Sequence, residues 1–193
     1  MSDQARLFEP EELSDHLRGW KGMPEYNRQI SLMDGTVKLV SLWEPWATLM
    51  AIGAKRIETR SWSTRYRGWL AIHASKGGLG KIHLARTLEE PEFSEALKGE
   101  LLSPGCIVAV LRLVDCCPME DLGCLPGVFS DYPELDTRQE RAFGDFHEGR
   151  WAWVTEGLFR LPHPLPYRAK QGLVELDEPT IVELRKQWKR ANG

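Results

Sequence analysis

The sequence predicts an α+β domain built on a small barrel or curled sheet, with helices packed around it and a helical extension at the N-terminus. Three observations lead there. Apolar stretches of strand length recur along the chain. Helical stretches fall among them in no repeating strand–helix–strand order. The hydrophobic content, 42% of 193 residues, is enough for one sizeable core.

Taken in order, Phe8-Glu-Pro-Glu-Glu-Leu reads as a helix start, with Pro10 in the first turn and Leu13, Leu17 and Trp20 on one stripe. Residues 21–34 look irregular, so 1–35 forms an extension and 36–193 the main domain. Val37–Leu42 reads as a strand. Pro45 opens a short helix carrying Trp46, Leu49 and Met50 on one face, and Gly53 stops it. Ile57–Trp62 and Trp69–Ala74 are extended. Two helical segments follow, Ile82–Glu90 and Pro91–Lys98. Cys106–Cys116 is apolar on both faces, as a central strand is. Residues 119–146 carry many acids and weak periodicity, which predicts a surface insertion. Arg150–Arg160 alternates as a strand, Leu161–Pro166 reads as an extended connector, Gly172–Leu176 as a last strand, and Pro179–Arg190 as a basic helix. No internal repeat is visible.

Composition narrows the function classes. The longest apolar run, Cys106–Leu111, is far too short to span a bilayer, which predicts no membrane partner. The opening Met-Ser-Asp-Gln-Ala-Arg lacks the apolar core of a secretion signal, and four cysteines are few, so the expected compartment is the cytoplasm. Cys106, Cys116, Cys117 and Cys124 lack zinc spacing, and Lys76-Gly-Gly-Leu-Gly-Lys81 lacks the spacing of a phosphate-binding P-loop; no metal or cofactor is expected. Charge is unevenly spread. Val37–Arg86 holds nine Lys/Arg against two acids, +7 within a chain of −3, which leaves −10 elsewhere. A basic block in an acidic chain points to an anionic ligand read at one place, or to a basic face paired with the acidic remainder.

The densest polar cluster is Gly53-Ala-Lys55-Arg-Ile-Glu58-Thr-Arg60-Ser-Trp62. On a strand, Glu58, Arg60 and Trp62 share a face, and Lys55 at the preceding turn can swing over it. Cations for phosphate, an acid for an exocyclic amine and an indole for stacking suit a nucleotide. The same set also reads as a Lys–Glu–Arg ladder on an exposed strand with Trp62 in the core. His73, alternating with apolar neighbours, and Lys76 follow as further candidates, as does Trp46.

Three segments together resemble the ASCH domain family: Ser41-Leu-Trp-Glu-Pro-Trp-Ala, the Gly53–Trp62 cluster, and Arg67-Gly-Trp-Leu-Ala-Ile-His73-Ala-Ser-Lys76. The distinctive Gly-x-Lys-x-x-Glu-x-Arg motif is met in full by Gly53, Lys55, Glu58 and Arg60. Gly149-Arg-Trp-Ala-Trp and Gln171-Gly-Leu look like the closing strands of the family's bacterial and phage branch, extending the resemblance over roughly 37–176. The resemblance implies a PUA-like fold, a small β-barrel with helices over its openings. It also implies a cleft beside the barrel, lined by the Gly53–Arg60 segment, in a family proposed to bind RNA or act on nucleotides. With the convergent face read from the residues, this predicts a basic cleft that recognises RNA or a modified nucleotide through Trp46, Lys55, Glu58, Arg60, Trp62, His73 and Lys76. Some small members look like amidohydrolases of acetylated cytidine that use a Lys, a Thr and a Glu. Here Lys55 matches, Glu58 stands at the threonine position, and Thr59 points the other way, so that nucleophile is lost. A hydrolase of a nucleoside, nucleotide or RNA, with Lys55 and Glu58 as its acid/base pair, is the alternative expectation. A protein partner docking on the extension or on 119–146 is a third.

Overall fold

β-branched and leucine-rich segments pair into one six-stranded sheet in the order β2-β5-β4-β3-β1-β6. In the computed structural model, which describes residues 35–77, 81–119 and 127–192 (81–83 by backbone only), the strands are β1 (Lys38–Leu42), β2 (Ile57–Arg60), β3 (Gly68–Ala74), β4 (Cys106–Pro118), β5 (Trp151–Pro166) and β6 (Leu173–Glu175). The helices are α1 (Trp46–Ala51), α2 (Lys81–Glu89), α3 (Pro91–Ala96), α4 (Val128–Asp131), α5 (Arg138–Phe143) and α6 (Glu178–Asn192), with a single 3₁₀ turn at Pro133–Leu135. The α+β class expected from sequence is what is found. The helix expected over Pro10–Trp20 lies outside the described residues, as does Cys124.

β1 and β3 run parallel and every other pairing is antiparallel. Both sheet faces are covered, and the two-residue period shows which residues serve which face. Leu39 and Ala71 pack with Ile107, Val110 and the helix residues Ile181 and Leu184 of α6. Val40, Leu42, Leu70 and Ile72 pack on Ala47 and Met50 of α1. Fully burying one such side chain contributes about 1.5–3 kcal/mol, so these two layers dominate the stability.

The sheet is a half-barrel, curled without β2 and β6 pairing. β2 and β1 stand four places apart in the strand order, yet the Arg60 guanidinium donates from Nη2 to the Ser41 carbonyl at 2.9 Å. That bond crosses the open mouth between the two ends of the sheet.

Two segments differ from the sequence reading. Leu161–Pro166, expected as a connector, extends β5, with Leu165 and Pro166 opposite Ile107 and Cys106. The register jumps from Ala109↔Arg160 to Ile107↔Leu165, so Pro162 and Pro164 fall in the bulged stretch, where no ladder N–H is required. Residues 127–146, expected at the surface, send Val128, Leu135 and Phe143 into buried clusters and bury Glu140 as well, while Asp136, Arg138 and Arg141 stay outside.

Candidate functional site

The motif residues build the site from behind. Gly53 adopts the left-handed conformation (φ +77°) that ends α1 and turns the chain into β2. Lys55 follows, and its side chain goes inward: it is 1% exposed, with Nζ donating to the Ile57 carbonyl and 3.8 Å from Glu58 Oε2. Glu58, also buried, meets Arg60 Nε at 3.0 Å through its other oxygen. The Lys55–Glu58–Arg60 chain is therefore an ion-pair ladder with its cationic end turned out. Thr59 points the opposite way and accepts from the Asp145 amide at 3.2 Å.

A residue that sequence reading passed over completes this wall. Glu140 on α5, 4% exposed, accepts from the amides of Arg56 (2.9 Å) and Ile57 (2.8 Å). Burial pushes its pKa up, and the Lys55 charge together with those two amides pulls the other way. Thr137-x-x-Glu140 is the sequence signature of a capping box. Only half of it forms: Thr137 Oγ1 accepts from the Glu140 amide at 3.0 Å, while the carboxylate is used on β2.

In front of the wall lies a cleft of about 560 Å³ lined by Ser41, Trp43, Arg60, Trp62, His73 and Lys170 among others. Trp62 is 37% exposed and stands perpendicular to the buried Trp153, centroids 4.6 Å apart, while Trp153 Nε1 donates to the Trp62 carbonyl at 3.3 Å. Its ring is thus held in place while one side meets solvent. Trp43 is 52% exposed, between β1 and α1. A second cleft of about 550 Å³ adjoins the first, lined by Lys76, Gly105, Tyr167 and Arg168 and sharing His73, Ser75 and Ala169 with it.

His73 sits where the clefts meet, and its protonation follows from its partners. The Tyr167 carbonyl, 3.1 Å from Nε2, can only accept, so Nε2 carries the proton; bare Nδ1 then accepts from Ser41 Oγ at 3.0 Å. Burial lowers its pKa, opposed by the Tyr167 carbonyl and reinforced by the Lys76 charge. Ser41 and His73 are register partners on the parallel β1–β3 pair, the polar continuation of the Leu39 and Ala71 face.

Of the residues expected at the site, Arg60, Trp62 and His73 line the first cleft, and His73 and Lys76 the second. Lys55 and Glu58 stand behind the wall. Trp46 is turned away, half-buried and edge-on to Phe93 at 6.1 Å, packed against a buried cluster. Trp43, Arg168 and Lys170 line the clefts without having been singled out from sequence. Among the described residues, no three His, Cys, Asp or Glu side chains are grouped to hold a metal ion, and no helix is long and apolar enough to cross a membrane.

The ASCH domain model matches residues 40–139, just over half of the chain. The chain belongs to the ASCH domain family. Among curated proteins it is similar to human activating signal cointegrator 1, 32% identical over 80 residues that make up 40% of this chain and 14% of that protein. The mouse protein of the same name is 27% identical over 111 residues, 54% of this chain and 17% of its own length. The chain therefore spans less than a fifth of the curated relatives it matches. Among solved structures it is similar to an ASCH protein from Zymomonas mobilis, with a TM-score of 0.45, 15% identity, and coverage of 77% of this chain and 93% of that one. The matched ASCH region begins inside β1 and ends on α5, so it takes in Lys55, Glu58 and Arg60 and stops one residue short of Glu140.

Proposed function

We propose that this ASCH domain recognises RNA by taking a nucleotide into the first cleft, the base against Trp62 and Trp43 and the phosphate at Arg60 and Lys170. The observation that carries this reading is the lining: two exposed indoles and two cations share a cleft that, among the described residues, no carboxylate lines. Indoles accept any base face and each stack contributes about 1–3 kcal/mol, while the cations make binding salt-dependent. Lys55 and Glu58 hold the wall behind Arg60, and we assign no reaction to them: Lys55 is buried against the Ile57 carbonyl and Glu58 and lines neither cleft. The closing segments Gly149–Trp153 and Gln171–Leu173 support a place among bacterial and phage members, in a cytoplasm where Cys106, Cys116 and Cys117 remain the free thiols seen here.

Quenching of tryptophan fluorescence by a short single-stranded RNA, at low and moderate salt, tests the assignment. Binding is expected to weaken steeply with salt and to drop sharply in Trp43→Ala/Trp62→Ala. Equal affinity of that variant and the wild type overturns it.

A further inference from the structure

Apart from Arg60, which pairs with Glu58, the cations that line the two clefts differ from most arginines elsewhere on the chain. Arg67, Arg138, Arg141, Arg150, Arg160 and Arg185 each stand in an ion pair with an Asp or Glu. Among the described residues, Lys76, Arg168 and Lys170 are exposed and pair with no carboxylate, and no acidic residue lines either cleft. Three successive residues distribute themselves over the two clefts: Arg168 lines the second, Ala169 both, and Lys170 the first. The shared residues Ser75 and Ala169 are small, so the clefts are not walled off from each other. The neutral His73 sits between them with both ring nitrogens already bonded.

Lys76 is not simply splayed into solvent. Its side chain lies across Gly105 so closely that a Cβ there would fall 2.2 Å from Lys76 Cε and 2.9 Å from Cγ. The bare Gly105 backbone forms a berth for the lysine stem, and Gly105 is itself tied to Ala74 and Tyr167 by main-chain bonds. Either cleft alone has the volume of a small-ligand site, and the second adds as much space again as a stacked nucleotide already has in the first.

We infer that the two clefts form one groove for single-stranded nucleic acid, the Trp43–Trp62 end taking a base and the Lys76–Arg168 end holding the phosphates of the adjoining nucleotides. The inference rests on the RNA reading above and narrows it: the ligand is a strand, not a free nucleotide. Paired cations offer a polyanion little, whereas unpaired ones aligned on an acid-free groove release counterions when it binds. The bases must be unpaired for one of them to reach the indoles.

The test is a titration by tryptophan fluorescence with UMP and with uridine dimers, tetramers and octamers across a salt series. The proteins are wild type, Lys76→Ala/Arg168→Ala and Trp43→Ala/Trp62→Ala, each first checked for folding by circular dichroism. For the wild type, affinity is expected to climb from UMP to the tetramer and then level off. The Lys76→Ala/Arg168→Ala variant should bind UMP as the wild type does, lose the climb, and show a salt slope shallower by about 1.4, at about 0.7 per cation on a single strand. A climb and slope equal to the wild type's, with UMP binding still dependent on the tryptophans, overturns the groove and leaves the single-nucleotide cleft standing. UMP and tetramer binding untouched by the tryptophan variant overturns both readings. Equal affinity for the octamer annealed to its complement overturns the single-strand assignment.

Discussion

Behind β2, charges are satisfied within the protein. Lys55 meets Glu58 and the Ile57 carbonyl, Glu58 meets Arg60, and Glu140 takes two β2-side amides. Along the groove, Lys76, Arg168 and Lys170 have no carboxylate among the described residues. The family motif lies almost entirely in the first region, while the surface offered to a ligand is supplied by Trp43, Trp62, Lys76 and the loop carrying Arg168 and Lys170. Arg60 alone belongs to both, with one nitrogen on Glu58, another on the Ser41 carbonyl, and an edge on the cleft. A family signature can therefore mark the frame that positions a site more than the contacts the site makes.

The comparison breaks most easily at Glu140. Glu140→Ala leaves Lys55 with one fewer compensating charge and two amides without an acceptor, and should cost about 3–5 kcal/mol in urea denaturation. Glu140→Gln, which keeps an acceptor, should cost clearly less. A loss under about 1 kcal/mol for the alanine variant would mean that pairing does not hold the wall.

On the groove side, Trp43→Ala should lower RNA affinity by about 1–3 kcal/mol, roughly 5- to 150-fold, while shifting stability by less than about 0.5 kcal/mol. The opposite pattern, stability lost and affinity kept, would move Trp43 into the structural region. Lys170→Ala is the milder version: a drop of about 0.7 in the salt slope and no change in urea midpoint.

The smallest effect lies at the boundary, in His73. Burial keeps its folded pKa below the unfolded value near 6.5, so between the two the unfolded chain binds more protons. Its contribution to stability is therefore complete above about pH 6.5 and falls away as the pH drops below that value. Glu140, shifted upward, acts in the opposite sense, so the readout is the stability difference between wild type and His73→Gln. That difference should narrow on acidification; a gap independent of pH would remove the buried neutral imidazole from the account.

The frame was more legible in the sequence than the surface. Pro45 and Gly53 bracketed α1, and the β-branched run from Cys106 gave β4, because both depend on local periodicity and backbone preference. The proline-rich end of β5 was not legible, since a bulge that spares proline an N–H partner is a property of the pairing. Trp43 and Trp46 look alike in sequence. Only the packing of Phe93 under α1 decides that the second packs against the core while the first stands exposed. Glu140 carried the signal of a helix cap, and its use by β2 depends on tertiary contact across 83 residues. Arg168 and Lys170 lie in a loop with no periodicity, where only their position between two clefts gives them meaning.

Tyr167 is tied on both sides through its main chain, its amide to the Gly105 carbonyl and its carbonyl to His73. These bonds do not depend on the side chains that follow. Arg168 and Lys170, exposed on either side of the core-packed Ala169, can therefore change with little penalty to the fold, so the ligand preference of an ASCH domain built this way can be re-engineered at this loop while the scaffold persists.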